Sequence, residues 1–176
     1  MSVRPKKNLG QHFLKDQGIA RDIVDLFTGF GQPEILIEIG PGTGVLTQHL
    51  LEPKPWKFRA SDVDGESIEY LKRHFPLHQE KFILEDFLRM APKAMGFSRL
   101  ALIGNFPYNI SSQIFFHILE MESEVTEVVC MLQKEVAPRI ASGPASKEYG
   151  IPSVLLPSLY TIKYAFTVGA HVFDPP

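Results

Sequence analysis

Apolar residues change their spacing several times along this chain, and each change marks an element. From Gln17 to Phe27 they recur at helical intervals, at Ile19, Ile23, Val24 and Phe27, which predicts a helix. Glu34 to Ile39 is a short, almost continuous apolar run and predicts a strand; GPGTG follows, then a helix from about Val45 to Leu51. Trp56 to Val63 reads as a second strand, Ser67 to His74 as a helix, and Lys81 to Leu84 as a short third strand. Leu100 to Gly104 is the fourth strand, Ser111 to Met121 a helix, and Val125 to Leu132 the fifth strand. After a loop at Gly143 to Lys147, a helical pattern resumes over Gly150 to Tyr160, and Thr161 to Val168 reads as a further strand. Strands that are apolar throughout, alternating with helices, belong to a mostly parallel sheet covered on both faces. The fold class expected is therefore a doubly wound α/β domain. Residues 1–15 form a polar, basic arm, so residues 1–30 are read as arm and first helix and residues 31–176 as the core.

Composition narrows the class only modestly. The chain of 176 residues is 44% hydrophobic and 22% charged, which suits one folded domain and excludes fibrous and disordered classes. A formal net charge of −2 offers no global attraction for a polyanion, so any nucleic-acid role rests on local patches such as Arg4, Lys6 and Lys7. The single cysteine, Cys130, sits in an apolar run and reads as a buried thiol; a disulfide framework and a zinc site are not expected, and no metal is called for. With neither a signal core nor a membrane-length apolar run, the expected setting is cytoplasmic, with no membrane partner.

Candidate chemistry falls at strand ends, where open α/β sheets bind ligands. In EIGPGTG, Glu38 to Gly44, glycines at 40, 42 and 44 permit a sharp turn and close backbone approach to a ligand. A dinucleotide fingerprint would place glycine or alanine where Val45 stands, which disfavours a nicotinamide-dependent oxidoreductase. Strand two ends in Asp62 and Asp64, one suited to a ribose hydroxyl pair and the other to capping a helix; we assign the ribose to Asp62 and the cap to Asp64. Glu85-Asp86-Phe87 offers an acceptor for an adenine amine beside an aromatic, or simply a loop acid. Strand four runs into GNFPYN, residues 104–109, which is either a turn with aromatics folded onto the core or a rigid loop presenting Asn105 and Tyr108.

Taken with KKNLGQHFL, Lys6 to Leu14, with NFPYNIS, with MLQKEVAPRI, with SKEYGIPSVLL and with the terminal FDPP, these stretches resemble the ribosomal RNA adenine N6-dimethyltransferases over nearly the whole chain. The resemblance implies a Rossmann-like class I methyltransferase fold using S-adenosylmethionine and releasing S-adenosylhomocysteine. It implies cofactor contacts at His12, Leu14, Gly40, Gly42, Asp62, Asp86 and Asn105. Asn105, Phe106, Pro107 and Tyr108 would form the catalytic loop. There the Asn105 side-chain oxygen and the Phe106 carbonyl accept the hydrogens of the target amine, and Tyr108, with Phe173 as second aromatic, stacks on the base. Partners implied are small-subunit ribosomal RNA or the immature small ribosomal subunit, with two adjacent adenosines each dimethylated, by a monomer. Where the family has glutamate at the ribose contact this chain has the shorter Asp62. The family continues past FDPP into a final strand and a helical domain, so the chain is expected to stop short of its natural end, leaving an edge beside Thr161 to Val168 prone to self-association. Two relatives stay open as alternatives: a large-subunit adenine dimethyltransferase of the antibiotic-resistance type, and a non-catalytic nucleic-acid-binding member of the fold.

Overall fold

A computed structural model describes residues 3–141 and 151–176, with the side chains of 151–153 excluded. The expected loop at Gly143 to Lys147 lies outside the described residues. In chain order the elements are β1 (Phe13–Leu14), α1 (Gln17–Asp25), β2 (Ile35–Ile39), α2 (Thr47–Leu50), β3 (Lys57–Asp62), α3 (Gly65–His74) and β4 (Phe82–Leu84), followed by β5 (Leu100–Asn105), α4 (Ser111–Glu120), β6 (Val125–Met131), α5 (Val136–Ala141), α6 (Ile151–Leu159) and β7 (Phe173–Asp174).

Five strands form one parallel sheet in the order β4-β3-β2-β5-β6, and β1 pairs with β7 in a separate antiparallel ribbon. The chain winds outward from β2 to β4 and then returns to place β5 on the other side of β2. That reversal opens a crevice above the carboxyl ends of β2 and β5, at Gly40 and Asn105. Every residue of β2 is buried, because helices cover both of its faces. The pleat sorts its side chains: Leu36 joins one core with Ala60, Ile103, Ile68 and Leu71, whereas Ile35, Ile37 and Ile39 join a second with Leu102, Ile114 and Ile118. Glu38 has the parity of Leu36 and meets Thr47 of α2.

Helix starts follow local chemistry. Asp16 caps α1 by accepting from the Ile19 amide, and Asp64 caps α3 by accepting from the Glu66 amide. Lys72, Arg73 and His74 close α3 at its negative dipole end. Helix α2 is shorter than the apolar pattern suggested, because residues 42–46 are taken up in the turns that leave β2.

Thr161 to Val168 is not a strand. Its alternating pattern fits a pleat, but a strand exists only when paired; these residues have no ladder partner among the described residues, and Tyr164 and Phe166 stand 45% and 40% exposed. The outer sheet edge in this structure is β6, which pairs with β5 alone. Among the described residues no helix is long and apolar enough to cross a membrane.

The packing predicts a sharp contrast between two leucines. Leu36→Ala, in the central strand, should lower the unfolding free energy by about 2–5 kcal/mol, read from the urea midpoint. Leu77→Ala, at a side chain 87% exposed, should change it by less than about 0.5 kcal/mol.

Candidate active site

The turn after β2 brings Gly40 and Gly42 to φ values of 65° and 54°, a region closed to most side chains. Gly42 is further constrained by the arm, since a Cβ there would lie 2.8 Å from the Phe13 ring. Asp62 anchors this turn from the end of β3. Its Oδ1 accepts from the Asp64 amide at 2.9 Å and its Oδ2 faces the Gly42 amide at 3.4 Å. Burial pushes the Asp62 carboxyl up to about 6, and those backbone amides oppose the rise.

Asp64 behaves differently two residues on. Burial alone would raise it, but Lys6 Nζ at 2.7 Å, Gln11 Nε2 at 3.1 Å and the Glu66 amide hold its carboxyl below the usual range. Asp64 thus has the capping role expected from sequence. Lys6 also meets Glu66 at 3.1 Å, so this lysine of the basic arm is spent on fastening the arm to α3.

Val63 lies between the two acids and is 51% exposed, and Leu84, in register with Asp62, is 61% exposed. These apolar side chains stand in water at the carboxyl edge, where an adenine face could cover them. Sequence reasoning passed over both; the available signal was an apolar residue on each strand just where the acids begin. Asp86 accepts from the Leu88 amide at 3.0 Å and lies 3.6 Å from Arg89. Phe87 is buried in the second core, edge-on to His117, so it does not line the pocket.

At the end of β5, Gly104 passes so close to β2 that any Cβ would collide with the Ile39 carbonyl. This close approach brings Asn105 into the crevice. Asn105 Nδ2 donates to the His12 carbonyl at 2.7 Å. A carbonyl only accepts, so the bond fixes which end of the amide faces the arm. The other end, Asn105 Oδ1, is buried and has no hydrogen-bond partner. Phe106 is fully buried against Phe115, so its ring serves the core. Pro107 lies over Gly40, with its Cγ 3.6 Å from where a Cβ of that glycine would stand. Tyr108 is half-buried and stacks on His12 with ring centroids 4.8 Å apart and planes 26° apart. Asn109 Nδ2 reaches the Asn8 carbonyl at 3.1 Å, a further tie from loop to arm.

One expectation about the site needs correction. Phe173, in β7 opposite Leu14, is 6% exposed and packs into the first core, because pairing with β1 turns its ring inward. The ring lying against Tyr108 is that of His12, whose Nδ1 is 3.0 Å from the Pro175 carbonyl oxygen. Leu14, the other arm residue expected at the cofactor, is buried and with Phe13 walls a cavity of about 20 Å3, lined also by Glu38, Gly40, Gly42, Thr43 and Asn105. Lys134 and Glu135 are exposed ahead of α5. Burial raises the Cys130 thiol to about 12, which leaves it protonated at neutral pH. Among the described residues no group of three or more His, Cys, Asp or Glu side chains could hold a metal ion.

The arrangement brings Asp62 at the end of β3, Asp86 after β4 and the unpartnered acceptor of Asn105 to one edge of the sheet. Residues 3–176 match the family described as ribosomal RNA adenine dimethylase. The chain is 52% identical over 174 residues to "Ribosomal RNA small subunit methyltransferase A" of Cytophaga hutchinsonii, covering 99% of this chain and 67% of that protein. It is 50% identical to the protein of the same description in Parabacteroides distasonis, covering 99% and 65%. The chain thus spans about two thirds of the length of these relatives. Among solved structures, a dimethyladenosine transferase from Plasmodium falciparum matches with a TM-score of 0.61 and 28% identity over 80% of this chain and 49% of that one. The 23S rRNA methyltransferase ErmE shares the fold, with a TM-score of 0.61 and 24% identity over 74% of this chain and 51% of its own.

The electrostatics of the arm latch can be checked by unfolding. Asp64→Ala should destabilise the chain by about 1–2 kcal/mol at pH 7 through loss of the cap. Because the folded-state carboxyl sits below its unfolded value, its contribution is complete above about pH 4 and fades as pH falls through the folded value. Urea midpoints of the wild type and Asp64→Ala should therefore draw together as pH falls below about 4.

Proposed function

Because the chain belongs to the ribosomal RNA adenine dimethylase family, we propose that it is the catalytic part of an enzyme that dimethylates the N6 amine of unpaired adenosines in small-subunit ribosomal RNA. The observation that carries this reading is the buried, unpartnered Oδ1 of Asn105 at the mouth of the crevice. A buried acceptor without a donor costs about 1–3 kcal/mol, and a site pays for such a feature where a ligand completes it. The amine of adenine is that donor. The names of the curated relatives favour the small subunit over the large-subunit alternative. The orphaned acceptor speaks against a member of the fold that only binds nucleic acid.

The residues present fit S-adenosylmethionine. Asp62 presents a buried carboxylate to a ribose diol, Val63 and Leu84 offer apolar cover to adenine, and Asp86 can accept from its amine. Gly40 and Gly42 let the backbone approach the amino-acid end, with His12 and Leu14 of the arm as the opposite wall. When bound, this cofactor supplies a methyl group already activated on a sulfonium and leaves as S-adenosylhomocysteine.

The amine of adenine is a poor nucleophile because its lone pair is conjugated with the ring. Asn105 Oδ1, accepting one of its hydrogens, draws the nitrogen out of conjugation, and the bond strengthens as positive charge develops there. Pro107 stiffens the loop without adding an amide donor that would compete. Tyr108 offers a ring face to the base, in the position where it now meets His12. A paired adenosine cannot reach this loop, so the target must be unstacked at a cost of a few kcal/mol, which favours single-stranded segments. A ribosomal substrate supports a cytoplasmic setting.

Asn105→Ala should lower single-turnover methyl transfer to immature small subunits by about 100-fold or more, while calorimetric affinity for S-adenosylmethionine falls far less. Equal losses in both would make Asn105 a pocket wall and overturn the assignment.

A further inference from the structure

Glu38 has the wrong surroundings for a structural carboxylate. It is 1% exposed in the middle of the sheet, and its Oε2 accepts from Thr47 Oγ1 at 2.7 Å. Among the described residues the charged group acting on it is Asp62 of β3, a like charge. Among the described residues it meets no cation from β5 or the arm, and the other side chains and backbone lining its cavity, Gly40, Gly42, Thr43, Asn105, Phe13 and Leu14 among them, carry no charge. A carboxylate buried without a positive partner either takes up a proton or waits for a cation to arrive. The cavity wall is where one would arrive.

We propose that Glu38 is a specificity-determining residue: it stands protonated in the free protein and releases its proton when the cationic cofactor binds, so that the site favours S-adenosylmethionine over its uncharged-sulfur product. This rests on the cofactor reading given above. The bookkeeping is simple. The Glu38 carboxyl loses H+ to solvent, and the resulting carboxylate faces a ligand with a net charge of +1. The product keeps its ammonium and carboxylate but has a thioether in place of the sulfonium, so its net charge is zero and it draws the proton off less completely. Burial, with Asp62 adding to it, raises the Glu38 carboxyl to about 8, against the lowering effect of the Thr47 hydrogen bond. At pH 7 such a group is mostly protonated, so a proton is available for release.

The test is isothermal titration of the full chain with S-adenosylmethionine and with S-adenosylhomocysteine at pH 7, in phosphate and in Tris, whose ionisation enthalpies differ. The slope of observed enthalpy against buffer enthalpy counts protons. The wild type should release about one proton with S-adenosylmethionine and fewer with the product. Glu38→Gln should abolish the release and narrow the preference for cofactor over product by about tenfold. It is the comparison with Glu38→Gln that assigns the proton to this carboxyl.

A second readout needs no ligand. A carboxyl raised in the folded state lends stability that is complete below its unfolded value and is lost as pH rises through the folded one. Asp62 has the same sign but finishes near 6, so between pH 6.5 and 8.5 the unfolding midpoint of the wild type should fall and that of Glu38→Gln should stay flat. Thr47→Val, which removes the hydrogen bond favouring the carboxylate, should move the proton release to higher pH and serves if Glu38→Gln fails to fold. Binding of both ligands with no proton exchange in the wild type overturns the proposal and leaves the cofactor reading standing. Failure of S-adenosylmethionine to bind overturns both.

Discussion

One hydrogen bond, from Asn105 Nδ2 to the His12 carbonyl at 2.7 Å, organises the crevice. Asn105 has a donor end and an acceptor end, and a loop side chain free to rotate would offer either. The arm removes that choice by taking the donor. What the crevice then presents is an acceptor, held in place and buried. The rest of the arm serves the same bond: Lys6 and Gln11 fasten one end to Asp64, β1 pairs with β7 at the other, and Asn109 ties the loop back to Asn8. A segment of low apolar content is thus ordered by polar contacts along its length.

Three carboxylates lie within this one crevice, and their surroundings divide them. Asp64 has a lysine and stays ionised. Asp62 has backbone amides and sits near the middle of the range. Glu38 has a hydroxyl and is raised furthest. The series follows access to positive partners rather than depth alone, and it leaves the carboxyl beside Gly40 least content without a ligand. A glycine turn between such groups lets a ligand approach the backbone on one side and the acids on the other.

Much of the sheet was legible, because a parallel sheet buried on both faces leaves apolar runs such as Ile35 to Ile39 and Leu100 to Ile103 that little else explains. The glycine turn, the capping role of Asp64 and the peculiarity of NFPY were legible too, each having a local chemical cause. What could not be read was set by tertiary partners. Thr161 to Val168 has the alternation of a strand without a neighbour to pair with. Phe173 is turned inward by a two-residue ribbon whose other half lies some 160 positions earlier. The binding of Lys6 by Asp64 converts a basic residue that looked available for RNA into a clasp, and no local pattern announces an ion pair 58 residues apart. Val63 and Leu84 were missed because exposed apolar residues draw notice only once the surface around them is known.

The central claim is that the arm makes Asn105 an oriented acceptor, and Asn105→Asp probes it most directly. That change keeps the size and the accepting oxygens but removes the donor, setting a carboxylate against the His12 carbonyl. Single-turnover methyl transfer to immature small subunits, at saturating S-adenosylmethionine, should fall by about 100-fold, as for loss of the acceptor itself. A rate close to that of the wild type would show that an acceptor suffices without the arm's bond, and would contradict the account.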